Sequence, residues 1–200
     1  MTITLGTQIT RKVIKCPNAP MSWRLKNMSR PSYIFGYLSN QAARLFSKIT
    51  GIPCLIVKRT AVVFYPGGAV DYRVLGYRVV TTAFVNFMVD QLQAETSQWG
   101  DFKYHDSGVG TTAAVVGDTD METTDGESRA TGTQTEGSSA NIYKSVGTIA
   151  YTSSKAITES GLFSQATGST LLDRDVFAAI NVINGTSIEF TVEFTVTAGG

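Results

Sequence analysis

The C-terminal end constrains the fold more than any other part of the chain. Ile188, Phe190, Val192, Phe194 and Val196 alternate with Glu189, Thr191, Glu193, Thr195 and Thr197. Only a strand sends successive side chains to opposite faces, so the pattern predicts a half-buried antiparallel strand over 187–197. Such a strand must be paired along its backbone and covered on its apolar face. Runs at 142–152, 156–163 and 170–183 carry further strand signals, and Asn184-Gly185 predicts a hairpin turn into the last strand. Upstream, the β-branched run 54–65, the turn Pro66-Gly67-Gly68 and the run 69–80 predict another hairpin. The expected fold is mainly β: an antiparallel β-sandwich or jelly-roll-like body with one or two short helices and an extended N-terminal arm.

The helices are read from caps and period. Asn40 can cap a short helix ending near Ile49, stopped by Gly51 and Pro53. Thr81 or Thr82 caps a second at about 83–96, with Phe84, Val85, Met88 and Leu92 as its core face. Residues 1–38 hold Pro17, Pro20 and Pro31 and loosely spaced apolar residues. They read as a short strand near 2–9 and then an extended arm. The body is then 39–200. Residues 106–140 are rich in Gly, Ser, Thr, Asp and Glu, which predicts a long surface loop with one short strand at 127–134.

Charge is unevenly placed. The net charge of the 200 residues is +1, and only 16% are charged. Residues 1–70 hold ten Lys/Arg and no Asp or Glu; the remainder holds all sixteen acids and seven bases. Such asymmetry points to a partner of opposite sign. Arg11, Lys12, Lys15, Arg24, Lys26 and Arg30 are the candidate partner-binding residues. Trp23 and Tyr33 interleave with them, as in single-stranded nucleic-acid binders. Yet the charges are too dispersed for a dense basic cluster. Docking on an acidic protein surface, a neighbouring copy included, fits at least as well.

Several classes are disfavoured. No run of about 18 apolar residues predicts a membrane helix. The N-terminus mixes Thr, Gln, Arg and Lys where a signal peptide needs an apolar stretch, so no Sec export is expected. Cys16 and Cys54 are too few for a disulfide scaffold, and two buried free thiols are favoured over one bridge. His105-Asp106-Ser107 resembles a catalytic triad in miniature. Neighbours on a strand face opposite ways, however, so His105 is expected to be an ordinary polar residue at a loop edge. Asp118, Asp120, Glu122, Asp125 and Glu127 are dense enough for a calcium loop. They lack its central Gly and its final Glu, where Arg129 sits, so a solvated loop is expected. Gly108-Val109-Gly110 lacks the Lys of a phosphate loop, and its glycines are expected to supply turn geometry. No metal and no cofactor are expected.

The segments KYHDSGVGTTAAVVGDT (103–119), AITESGLFS (156–164), GSTLLDRDVFAAINVINGTSIEFTVEFTVTAGG (168–200) and VVTTAFVNFMVDQLQ (79–93) resemble tailed-bacteriophage virion structural proteins. The Ile-Thr-Glu-x-Gly-Leu-Phe and Leu-Leu-Asp-Arg arrangement is similar to one found in head and tail components. The resemblance covers about 79–200 and implies a non-enzymatic virion protein, with a capsid-surface decoration (cement) protein as the leading role. A tail, neck or fibre-attachment protein is the alternative, and a nucleic-acid-binding protein the next. The implied partners are the major capsid protein or another virion protein and further copies of itself, a trimer being one arrangement, with no membrane. Arg174 is expected to pair with Glu159 or with a neighbouring subunit.

Overall fold

A computed structural model describes residues 54–78, 80–93 and 101–197, with Ala42 and Leu45, both helical. Its elements are β1 (Cys54–Phe64), β2 (Val70–Arg78), α1 (Thr82–Gln93), β3 (Tyr104–Gly108), β4 (Ala130–Thr131), β5 (Thr133–Glu136), β6 (Ile142–Ala150), β7 (Lys155–Phe163), β8 (Leu171–Val182) and β9 (Ser187–Thr197). One sheet runs β2-β1-β9-β6-β5 and the other β4-β3-β7-β8. All pairings are antiparallel, so the mainly β, two-sheet expectation holds.

β9 shows why its pattern is so regular. It lies between β1 and β6, so both backbone edges are paired. Ile188, Phe190 and Val192 are fully buried, while Glu189, Thr191 and Glu193 lie on the other face, half-buried. The β1–β2 hairpin also forms as expected. Tyr65 N donates to Ala69 O at 2.9 Å and Gly68 N to Tyr65 O at 3.1 Å, closing the turn.

The Asn184-Gly185 hairpin does not form. β8 and β9 belong to different sheets, and the turn carries the chain across the sandwich. It is held by Gly185 N donating to Tyr151 O and Tyr151 N donating to Thr186 O. A turn-forming dipeptide sets a local bend and not the partner of the strand that follows.

The face of α1 also differs. Thr81 Oγ1 accepts from Phe84 N at 3.2 Å, which is the expected cap. Phe84 is buried and Phe87 and Met88 pack beside it, but Val85 and Leu92 are 41% and 82% exposed. The inward stripe is therefore 84, 87 and 88. The expected 84–85–88–92 face and the observed one each cover about 100° of the helix, so the buried face keeps its width but is rotated by about 60° toward Phe87.

The interior is not uniformly apolar. One cluster holds Ala61, Val63, Ile157, Ile188 and Phe190; the other holds Val57, Phe84, Phe102, Leu162, Val192 and Phe194. Between Val57 and Ala61 on β1 stands Arg59, and between Ile157 and Leu162 on β7 stands Ser160. Both are fully buried. A polar belt thus divides the core.

Candidate functional site

The belt is built around Arg59. Its guanidinium donates from Nη1 to Ser160 Oγ and from Nη2 to Asp173 Oδ1, both at 2.6 Å. An ion pair with both side chains fully buried requires each charge to be compensated by a close, well-aligned partner. This corrects the place of Arg59 among the N-terminal bases: it is spent inside the fold. Lys58 likewise pairs with Glu193 at 3.0 Å.

His105 borders the same belt. It is completely buried in β3, not at a loop edge, and its Nε2 lies 2.8 Å from Ser145 Oγ. Burial, then the positive Arg59, pushes its pKa down to about 3, so the ring is neutral at pH 7. Gly147 on the facing strand makes room for it, since a Cβ there would sit 2.3 Å from the ring. Asp106 faces the other way, as strand alternation demands, and binds Arg129 at 2.9 Å. Burial raises the Asp106 carboxyl, and Arg129 acts against that shift. Ser107 Oγ donates to Asp125 and accepts from Tyr151 OH. The three neighbours thus serve three separate contacts.

The densest arrangement lies where the segment 109–129 covers the outer face of the β3–β7–β8 sheet. Glu159 on β7 is fully buried and accepts four N–H bonds. Oε1 accepts from Gly110 N at 3.0 Å and Thr123 N at 2.8 Å. Oε2 accepts from Glu122 N at 3.1 Å and Arg174 Nε at 2.6 Å. Arg174 extends to Asp118 at 3.0 Å, Glu122 at 3.2 Å and the Thr112 carbonyl at 3.2 Å. Of the two expected partners of Arg174, the intrachain one is present. Gly110 permits the approach, because a Cβ there would lie 2.5 Å from Glu159 Oε1. Its φ is not positive, so close packing and not turn geometry is its role.

The acidic run is likewise not simply solvated. Arg129 bonds Asp106 and Asp120, stacks on the Phe163 ring at 3.4 Å and donates to Gly168 O at 2.8 Å. Lys155 pairs with Glu127 at 2.8 Å and, first among the causes, holds its carboxyl below the ordinary range. Hydrogen bonds from Thr112 lower Glu122 in the same way. Met121 is buried against Phe163 and Leu171, anchoring the segment from beneath. The expected strand at 127–134 is two short strands, β4 and β5, on different sheets. Arginine and lysine supply the positive charge that a cation would otherwise bring. Among the described residues, no group of three or more His, Cys, Asp or Glu side chains is arranged to hold a metal ion.

Arg11, Lys12, Lys15, Arg24, Lys26, Arg30 and Cys16 lie outside the described residues, as does the expected strand near 2–9. Among the described residues no helix is long and apolar enough to cross a membrane. No family model, curated protein or solved structure matches the chain.

Sequence reasoning singled out Glu159 and Arg174 but not the four-donor knot they form. It missed Arg59, Asp173 and Arg129. Arg59 carried a signal: a lone charge inside the β-branched run Cys-Leu-Ile-Val-Lys-Arg-Thr-Ala-Val-Val-Phe, on the same parity as Val57 and Ala61.

Proposed function

We propose that the chain is a non-enzymatic structural component of a tailed-phage virion. Within that class it is a capsid-surface decoration protein that binds the major capsid protein and neighbouring copies. The observation that carries the reading is the Glu159–Arg174 knot. The two motifs that resemble virion proteins, Ile-Thr-Glu-x-Gly-Leu-Phe and Leu-Leu-Asp-Arg, meet there at 2.6 Å and fasten segment 109–129 to the sheet. A loop held this way offers a preformed contact face and loses little freedom on docking. Exposed Thr111, Val115 and Val116 lie on that face. The sole histidine is neutral, buried and turned toward Ser145, which favours a structural role for the His-Asp-Ser sequence.

In this reading the basic residues Arg11 to Arg30 lie on an acidic surface of the shell, and many weak contacts add once one copy is tethered. Purified particles washed at rising salt test it. The chain is expected to dissociate at lower salt when residues 1–35 are deleted. Retention equal to the full chain removes the arm as the anchor. The fastened loop also suits a tail or neck contact, and the copy number per particle separates the two: a shell protein is present in many copies, a tail component in few.

A further inference from the structure

One end of the sandwich carries an apolar pocket of about 350 Å³. Buried Phe84, Phe102 and Phe194 form its floor, and Ala140, Asn141 and Val196 its exposed rim. Phe84 meets Phe102 edge to face at 5.0 Å and Phe194 at 5.4 Å, so the floor is a fixed aromatic lattice. The polar groups at the rim are already engaged. Asn141 Nδ2 donates to Val196 O at 2.9 Å, and Val196 N donates to Asn141 O at 3.0 Å. The volume is at the low end for ligand pockets and suits one or two apolar side chains.

The point where the chain enters the body identifies the occupant. In the β1–β9 ladder Leu55 lies opposite Val196 and Cys54 opposite Thr197, so residues 1–53 join the body at the pocket rim. Within those residues, the run 33–38, Tyr-Ile-Phe-Gly-Tyr-Leu, holds three of the five aromatic residues. Residues 39–53 connect it to β1, and even with helix at Ala42 and Leu45 they can span about 30 Å, ample to fold back to the rim. So short a tether keeps the run at a local concentration on the order of millimolar.

We propose that residues 33–38 seat an aromatic side chain in the pocket of their own chain. This anchors the root of the basic arm, so that residues 11–30 leave the body from this end. The docking does not depend on what the arm then binds.

The test uses the full-length chain with p-benzoylphenylalanine in place of Val196. Irradiation is expected to give a crosslink within 33–38 on a species that migrates as a monomer. Tyr33→Ser, Phe35→Ser and Tyr37→Ser together should abolish that crosslink. In the otherwise native chain the same triple change should raise anilinonaphthalene-sulfonate fluorescence several-fold, and adding Val196→Trp should remove the rise. Crosslinks elsewhere in the chain, crosslinks between copies, no crosslink, or dye binding unchanged by the triple substitution would each overturn the proposal.

Discussion

Glu159 shows how much a single buried carboxylate can organise. It joins two loop turns and an adjacent strand through four N–H donors. Glu159→Ala leaves Arg174 and three amides without their acceptor, and breaking a buried pair costs about 3–5 kcal/mol. We expect a loss of that order in urea denaturation, together with new protease cleavage within 109–129. Glu159→Gln keeps an acceptor oxygen and should cost less. Equal stability of the Ala variant and the parent would show that the knot is not holding the loop.

His105 makes a pH prediction at the same scale. Its folded-state pKa is lowered from 6.5 to about 3. The unfolded chain therefore binds an additional proton between those values, and stability rises with pH across that window. The contribution is complete above about pH 6.5 and is lost as pH falls toward 3. Urea midpoints at pH 7 and pH 5 should differ in the parent, with the lower midpoint at pH 5. His105→Gln, neutral throughout, should remove that part of the difference. An unchanged difference would count against a buried neutral ring.

Among the elements, α1 gives the sharpest contrast between pattern and packing. Phe84 is 2% exposed and touches three other rings, whereas Leu92 is 82% exposed. Phe84→Ala should cost about 3–5 kcal/mol. Leu92→Ala should change stability by less than about 0.5 kcal/mol. Thermal unfolding of both variants checks the assignment, and similar shifts in the two would restore the face that includes Leu92. The turn at 184–185 gives the parallel lesson for strands. Its dipeptide bends the chain, but the hairpin expected from it does not form, because the strand after it enters the opposite sheet. β9 finds its partners in β1 and β6, more than a hundred and some forty residues away in sequence, which no local signal encodes.

Over the whole molecule, the charge division becomes less of a division. Lys58 and Arg59 from the basic part pair with Glu193 and Asp173 from the acidic part, in the same chain. Arg59→Met removes the Arg59 charge from beside Asp173 in the core, and about 3–5 kcal/mol should be lost. Adding Asp173→Leu should restore part of that loss, because the desolvation of both charges is then relieved. Chemical denaturation of the single and double variants gives the coupling. A double variant as unstable as the sum of its parts would mean that the two side chains act independently.

The amino-acid sequence alone carries the two-residue period of β9, the β1–β2 hairpin, the capped helix and the mainly β class. Each of these rests on neighbours a few residues apart, where alternation, cap chemistry and turn residues act directly. It also offered Glu159 as a partner of Arg174, without the three loop amides that complete the knot. The packing of the two sheets is what separates β8 from β9, makes Arg59 and His105 interior, and brings Glu159 so close that position 110 must be Gly. Those outcomes depend on which strands face one another across the sandwich. Burial, desolvation and ion pairing are set by that facing, and by groups as far apart in sequence as Arg59 and Asp173.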